Sequence, residues 1–235
     1  MYKGIYIALS GAVLKQLQMD TISSNLANAS TIAFKKDTLS FKDYLVNRLN
    51  GATEPDGRDM STLSGEKTDF SEGEMFKTGN PLDVALSGDG FIALEGGFYT
   101  RRGDLKLNGD GFLTAYNGMK VLGAKGPIQI QGGTVDIGSG GEVSVDGKQI
   151  GTIKLVQFNN TSALKQTGLG LYTSSVPGTA SSAKVREGFL ESSNVNVMEE
   201  VVNLVESVRQ YETFQKAIQT FDDAAGRVIE DMARV

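Results

Sequence analysis

The chain has 235 residues, of which 40% are hydrophobic, and it carries a net charge of −5. A chain of this length forms one or two domains with a hydrophobic core, and its acidic balance gives no sign of a nucleic-acid interface. It contains neither cysteine nor histidine, which excludes disulfides, thiolate nucleophiles, cysteine or histidine metal sites and the Ser-His-Asp triad.

These absences sharply narrow the possible enzyme classes, and we expect a protein that is not an enzyme and that has no cofactor, metal site or small-molecule substrate. Chemistry by lysine or carboxylate groups remains the enzymatic alternative. The segment from Met1 to Met19 lacks the apolar run and cleavage pattern of a secretory signal. No stretch of the sequence approaches the roughly 20 apolar residues of a transmembrane helix.

The first predicted element is a helix over roughly residues 3–28, which ends in a polar run at residues 23–31 where side chains compete with the helical backbone. Its apolar residues recur three or four positions apart, as they do on one face of a helix. This N-terminal stripe consists of Ile5, Leu9, Ala12, Met19 and Leu26.

The middle of the chain predicts a β domain between two connectors. Residues 36–79 are predicted to be a linker, and within them residues 50–79 contain five glycines among alternating charges, which indicates an irregular segment. Residues 80–170 contain short apolar runs separated by Asn-Gly and Asp-Gly turns, which predicts antiparallel hairpins in a small barrel or sandwich. Residues 171–194 form the return linker. The strand candidates lie at residues 84–86, 91–94, 98–100, 105–107, 112–114, 121–122, 128–130, 143–145 and 153–156.

The final predicted element is a helix that begins after Asn196 and has Glu199 in its first turn, a variant of the capping box. About 38 residues of helix would be about 57 Å long, more than a domain of this size can cover. Its apolar residues form two stripes that are out of phase with each other. The upstream stripe is Met198, Val202, Val205 and Val208, and the downstream stripe is Tyr211, Phe214, Ile218, Phe221, Ala225, Val228 and Met232.

Opposite charges favour association of the two terminal segments. Residues 1–36 contain four lysines and one acid, whereas residues 195–235 contain eight acids and four bases. We therefore expect an α+β protein in which residues 1–35 and 195–235 form a discontinuous coiled-coil domain beside the central antiparallel β barrel or sandwich. The stripes would bind each other and other copies of the chain. A β-domain adhesin or binding module on a helical stalk is the alternative.

Two small clusters in the β region have simpler interpretations than binding sites. Gly88-Asp89-Gly90-Phe91 and Gly109-Asp110-Gly111-Phe112 could suggest a calcium loop, but hairpin turns are favoured because neighbouring carboxylates are missing. The doublet Arg101-Arg102 is interpreted as a strand-end surface or a contact with another subunit rather than a nucleic-acid platform.

Three segments resemble the bacterial flagellar axial proteins, the rod and hook family. Ser24-Asn25-Leu26-Ala27-Asn28-Ala29-Ser30-Thr31 followed by Phe34-Lys35 is similar to the family's rod signature, which usually has a glycine just before the phenylalanine, where this chain has Ala33. The segments 78–91 and 188–197 resemble the core of the family's β domain and the start of its C-terminal helix. The residues carrying the resemblance are Asn25, Leu26, Ala27, Asn28, Thr31, Phe34, Lys35, Gly79, Asn80, Pro81, Leu82, Asp83, Gly88, Asp89, Gly90, Phe91, Ser193, Asn194 and Val195.

The resemblance implies a structural subunit of the flagellar basal-body rod, exported by the flagellar type III apparatus without a cleaved signal peptide. Such a subunit polymerises helically in the periplasm with copies of itself and neighbouring rod and hook proteins, and helps transmit torque from motor to hook. A single β domain argues against the larger hook subunit. Arg209-Gln210-Tyr211-Glu212 and the Gly-x-x-Gly-Pro-Ile run at residues 123–128 favour the proximal over the distal rod type.

Overall fold

A computed structural model describes residues 2–47, 55–168 and 170–233, with side chains described at residues 4–40, 65–168 and 170–227. The chain divides into two compact units. The first lies within residues 1–27, 37–69 and 196–235, and the second lies within residues 28–36 and 70–195.

The first unit contains two long helices, α1 (Tyr2–Ala27) and α2 (Val197–Ala233). The helix α2 begins immediately after the predicted cap Asn196, whose side-chain oxygen accepts hydrogen bonds from the backbone N–H groups of Met198 (3.2 Å) and Glu199 (3.4 Å). Neither described helix combines the length and apolarity needed to cross a membrane.

The first unit also contains a hairpin in the segment that the sequence assigned to an irregular linker. Its strands β1 (Asp37–Asn47) and β2 (Pro55–Thr68) are antiparallel, with Asp37 paired to Thr68 and Leu45 to Asp59. A ribbon of two strands is joined by backbone hydrogen bonds, which do not require the alternation of apolar residues that identifies a half-buried strand in a sequence.

The second unit is built from short antiparallel strands. Its largest sheet has six strands in the order β15-β16-β6-β5-β14-β17. The strands are β3 (Met75–Lys77), β4 (Val84–Ser87), β5 (Phe91–Leu94), β6 (Phe98–Thr100), β7 (Lys106–Leu107), β8 (Leu113–Thr114), β9 (Leu122–Gly123), β10 (Gly126–Pro127), β11 (Val135–Ile137), β12 (Glu142–Val145), β13 (Lys148–Thr152), β14 (Leu155–Gln157), β15 (Leu164–Gly168), β16 (Leu171–Ser174), β17 (Thr179–Ala180), β18 (Lys184–Glu187) and β19 (Phe189–Glu191).

Two groups of buried side chains form the core of this unit. The larger is aliphatic and includes Ile92, Leu94 and Val121, none of which is accessible to solvent. The smaller surrounds the fully buried Tyr172, whose ring lies 5.4 Å from Phe70 and 5.5 Å from Phe91 in edge-to-face contacts. The β5 residues Phe91 and Ile92 alternate between these two clusters, as successive strand side chains must.

The chain is α+β, as predicted, but no sheet formed by the described residues closes into a barrel. Many strands have only two or three residues, so they pair into separate small sheets. The predicted strand at residues 128–130 is not a strand; Ile128 and Ile130 instead make isolated backbone hydrogen bonds with Leu113 (2.9 Å) and Gly111 (2.7 Å).

The predicted return linker contains the strands β16 to β19, which pair with β6, β14, β4 and β3. The segment therefore contains regular secondary structure that pairs with strands from earlier in the chain. The sandwich arrangement, the coiled-coil character of the helix pair and the division into assembly domain, β domain and linkers stay predictions.

The closest backbone approach in the β unit predicts one critical glycine. A Cβ on Gly103 would lie 1.6 Å from the carbonyl oxygen of Val84, whereas a Cβ on Gly109 would meet no atom within 4 Å. We expect Gly103→Ala to lower the free energy of unfolding by about 3 kcal/mol or more, because the overlap must move backbone atoms, and Gly109→Ala to change it by less than about 0.5 kcal/mol. Urea unfolding followed by circular dichroism measures both, and equal effects would contradict this packing.

Candidate assembly surface

The two long helices pack antiparallel through glycines on α1 and phenylalanines on α2. A Cβ on Gly4 would lie 2.6 Å from Cζ of Phe221, and a Cβ on Gly11 would lie 2.5 Å from Cζ of Phe214. Each ring thus occupies space that only a glycine leaves open. Both the glycines and the phenylalanines are seven residues apart, which is two helical turns, so the two contacts repeat along one face of each helix.

The predicted N-terminal stripe lies along the edge of this contact. Ala12 is buried and Ile5, Met19 and Leu26 are half-buried, but Leu9 is 49% exposed. The inner face of α1 also carries small residues such as Ala8. A search for large apolar residues overlooks this face, because close helix packing here uses glycine and alanine.

The predicted downstream stripe of α2 lies on the inner face. Tyr211, Phe214, Ile218, Phe221 and Ala225 are half-buried. The side chains of Val228 and Met232, which belong to the same prediction, lie outside the described residues.

The predicted upstream stripe of α2 lies on the outer face instead. Met198 is 76% exposed and Val202 is 64% exposed, and Val205 and Val208 are also exposed. At this level the inner face carries the buried polar residues Glu200 and Ser207. The phase change seen in the sequence therefore separates an apolar stripe that faces α1 from one that is exposed in the described chain.

Two exposed apolar surfaces result, one on each helix, and the sequence stripes captured them only in part. We call Tyr6, Leu9, Val13 and Leu17 the outer α1 stripe; Tyr6, Val13 and Leu17 were missed, although their spacing of three and four residues was visible. We call the exposed apolar residues of α2 the outer α2 face. The stripe predicted from the sequence did not include two of them, Val197 and Val201. The outer α2 face consists of Val197, Met198, Val201, Val202, Val205 and Val208.

Asn25, near the start of the N-terminal motif, connects α1 to the hairpin. Its side-chain nitrogen donates to the carbonyl oxygen of Asp37 (2.9 Å), and its side-chain oxygen accepts from the N–H of Asp37 (3.0 Å). Asn25 is buried, and an amide is the side chain that satisfies a backbone donor and acceptor together. This pair of bonds explains an asparagine at the end of the helix.

Lys35, at the other end of the motif, belongs to a buried charge cluster in the β unit. The Glu191 carboxylate accepts from Lys35 Nζ (2.5 Å) at one oxygen and from Arg101 Nε (2.8 Å) at the other. The backbone N–H of Gly73 donates to the same carboxylate (2.8 Å). All three charged side chains are at most 2% exposed. Burial lowers the pKa of Lys35, against the attraction of Glu191, which raises it.

Arg101 lies at the centre of this cluster and not on the surface that the sequence suggested. Besides Glu191, its guanidinium donates to the carbonyl oxygens of Leu86 (3.2 Å), Gly88 (3.1 Å) and Gly90 (3.3 Å). The first Asp-Gly turn thus holds a guanidinium through its carbonyl oxygens. Arg102 turns away and forms an ion pair with Asp104 (2.7 Å).

The N-terminal and C-terminal motifs meet beside the cluster. The N–H of Ala33 donates to the carbonyl of Glu191 (2.8 Å), and the N–H of Asn194 donates to that of Phe34 (3.3 Å). The Asn194 side chain accepts from the N–H of Lys36 (2.8 Å). Residues 33–36 are therefore bound to residues 191–194, far apart in the sequence.

The remaining motif residues shape turns. Thr31 donates to the side-chain oxygen of Asn28 (3.2 Å), and the Asn80 side chain donates to Asp83 (3.0 Å). Gly79 donates its N–H to the carbonyl of Gly188 (3.1 Å). Ser193 accepts from the N–H of Val195 (3.2 Å). Of the others, Phe91 and Val195 are buried, Leu26 and Leu82 are half-buried, and Ala27, Pro81 and Asp89 are exposed.

Three family models match the chain in the same three regions. Residues 5–35 match the flagella basal body rod protein, residues 85–145 match the D1 domain of the flagellar hook protein FlgE/F/G, and residues 186–231 match the C-terminal part of the flagellar basal body rod FlgEFG protein. The flagellar basal-body rod protein FlgG of Borreliella burgdorferi is 32% identical, over 96% of this chain and 97% of its own length. This chain belongs to the flagellar basal-body rod protein family.

Other members are similar over the same extent. FlgG of Bacillus subtilis is 31% identical over 95% of this chain and 96% of its own length, and FlgF of Caulobacter vibrioides is 29% identical over the full length of both. Each of the three matched regions contributes one charged residue to the buried cluster: Lys35, Arg101 and Glu191. Family residues that are distant in sequence thus form one site.

The cluster predicts that Glu191 is more important for stability than either cation. Glu191→Gln leaves two buried cations without their shared carboxylate, and we expect it to lower the free energy of unfolding by about 3–5 kcal/mol. Lys35→Met leaves the Glu191–Arg101 pair intact, so we expect less than half that loss. Urea unfolding of both variants measures the difference, and an equal or larger loss in Lys35→Met would contradict this arrangement.

Ala33 occupies the position where the rod signature usually has glycine, and its φ of 51° lies in the left-handed region. That conformation costs a residue with a Cβ roughly 1–2 kcal/mol. Ala33→Gly should relieve this strain while losing a buried methyl group, so we expect a net change in unfolding free energy within about 0.5 kcal/mol.

Ala115 supplies the control, because it is equally buried and its φ is not positive. Ala115→Gly should lower the unfolding free energy by about 1–2 kcal/mol. Thermal unfolding of both variants compares the two positions, and an equal loss at each would show that the Ala33 backbone is not strained.

Proposed function

We propose that this chain is a structural subunit of the flagellar basal-body rod that polymerises helically through its terminal helices. The observation that carries the proposal is the outer α2 face, six apolar residues on a helix whose contact with α1 uses the opposite side. A contiguous exposed apolar surface of this kind is characteristic of a protein-binding site. Membership of the rod protein family makes other subunits of the rod the appropriate partners.

The assembly domain in this proposal consists of α1 and α2, with the β unit as a separate element. The inner contact joins the two helices of one chain, and the outer surfaces join copies. The pair would then act as part of a coiled coil shared between subunits. The predicted interface residues fit this division, with Ala12, Phe214 and Phe221 inside the chain and Leu9, Met198 and Val202 between chains.

The proposal includes the location, export route and partners that the resemblance implies. The rod lies in the flagellar basal body and spans the periplasm, and its subunits are exported by the flagellar type III apparatus without a cleaved signal peptide. The partners are copies of this chain and neighbouring rod and hook proteins, and the assembled shaft transmits torque for motility. The proposed position is the proximal rod, on the sequence features of residues 123–128 and 209–212. The distal rod is the alternative, because relatives named FlgG and FlgF match this chain to a similar degree.

An acidic substitution on the outer α2 face tests the proposal. Val202→Asp places a charge on a side chain that is 64% exposed in the single chain, so we expect the unfolding free energy to change by less than about 0.5 kcal/mol. The same charge would be buried at every subunit contact, so we expect motility to be lost when this variant replaces the native protein in the cell.

Thr213→Asp is the control, since it adds the same charge to the same helix at an exposed residue that is not part of either apolar surface. Swimming on soft agar and mass spectrometry of isolated basal bodies provide the measurements. The proposal predicts that Thr213→Asp cells swim and that Val202→Asp is missing from basal bodies. Normal swimming of the Val202→Asp strain, or absence of the native chain from basal bodies, would contradict the proposal.

A further inference from the structure

The outer stripes of the two helices have matching patterns. Along α1, the spacing from Tyr6 through Leu9 and Val13 to Leu17 is three, four and four residues. Along α2 in the opposite direction, the spacing from Val208 through Val205 and Val201 to Val197 is also three, four and four. Two antiparallel helices with these patterns bring all four pairs to the same level, because each residue rises 1.5 Å along either axis.

These two surfaces cannot meet within one chain. The inner contacts place Gly4 opposite Phe221 and Gly11 opposite Phe214, so the outer α1 stripe lies level with residues 208–219 in the middle of α2. The residues Val197 to Val208 are level with the other end of α1. The two exposed surfaces therefore occupy opposite ends and outward faces of the helix pair.

We propose that the outer α1 stripe of one copy packs antiparallel on the outer α2 face of a second copy of this chain. The aligned pairs are Tyr6 with Val208, Leu9 with Val205, Val13 with Val201, and Leu17 with Val197. This inference rests on the proposed rod function and specifies the contact that builds the polymer.

The distribution of charge supports a second copy of this chain as the partner that binds these surfaces. The sequence from Tyr2 to Leu17 contains Lys3 and Lys15 and no acid. The sequence from Val197 to Val208 contains no base, and its exposed charged residues are Glu199 and Glu206. Opposite charges on the two segments favour this pairing over contact of either segment with the identical segment of another chain. Burial of the apolar residues supplies the main driving force.

The contact has the symmetry that a filament requires. It joins two different surfaces, so each copy still has one free stripe after binding, and repetition produces an open helical polymer. The register of α1 against α2 in this contact between copies differs by about eleven residues from their register within one chain. Neighbouring copies are therefore displaced by about 16 Å along the helix axis. The inner contact thus fixes the shape of one subunit, and the outer contact determines the step to the next.

Disulfide cross-linking tests the register directly, because the native chain has no cysteine. Leu9→Cys and Val205→Cys are produced on separate chains and expressed together in cells that lack the native protein, and their isolated basal bodies are oxidised. A disulfide requires Cα atoms about 4.4–6.8 Å apart. We expect a dimer containing one chain of each kind.

Leu9→Cys combined with Val197→Cys is the matched control, since Val197 is similarly exposed on the same face but about 12 Å along the helix from Val205. We expect at least ten-fold less mixed dimer from this pair. Val13→Cys combined with Val201→Cys is a second pair in the proposed register and should cross-link as Leu9→Cys with Val205→Cys does.

The possible outcomes separate the contact from the function. Rods that contain the chain but give only Leu9–Leu9 dimers, Leu9–Val197 dimers or no dimers would overturn the proposed contact and leave the rod function standing. Exclusion of both in-register pairs from rods would also overturn it, because cysteine is smaller than leucine or valine and should fit. Absence of the native chain from basal bodies would overturn the proposed function itself.

Discussion

The β unit depends on the carboxylate of Glu191, because this group, just before α2, binds Lys35 from the N-terminal part of the chain and Arg101 from the middle. Lys35 is the last residue of the N-terminal motif, Arg101 follows β6, and Glu191 ends β19. Their charges are buried together, so removing the anion leaves Lys35 without its ion-pair partner and leaves Arg101 with only the partly exposed carboxylate of Glu72 at 3.4 Å. The cluster also brings residues 33–36 beside residues 191–194, which connect the unit to α1 and α2 in the chain.

The helix pair shows a different constraint. Small residues form the contact between the helices, and several large apolar residues remain exposed outside that contact. Gly4 and Gly11 admit the rings of Phe221 and Phe214, and this close approach needs only one face of each helix. The larger aliphatic residues Leu9, Val13, Val201 and Val205 remain exposed. An isolated chain gains nothing from this exposure, whereas the proposed polymer would bury these residues at its subunit contacts. The same division explains why α2 changes phase near Tyr211.

Part of this organisation was predictable from residue patterns. The long C-terminal helix follows from the spacing after Tyr211 and the cap at Asn196, and strands such as β4 and β5 follow from apolar runs between glycine turns. The hairpin of β1 and β2 was not predictable in the same way, because a two-stranded ribbon does not need one apolar face. The buried role of Arg101 was also missed, since a doublet of arginines in an acidic chain resembles a solvated surface and its partners are distant in sequence.

The sequence by itself determined the family, the two terminal helices and the apolar stripes, because local spacing and short motifs encode these features directly. Only the tertiary structure decided which stripe is internal, because that depends on where Phe214 and Phe221 find glycines on the other helix. It also decided that Lys35, Arg101 and Glu191 form one site and that Ala33 takes the left-handed conformation usual for glycine. These are contacts and geometries that arise when distant segments meet, so no local pattern contains them.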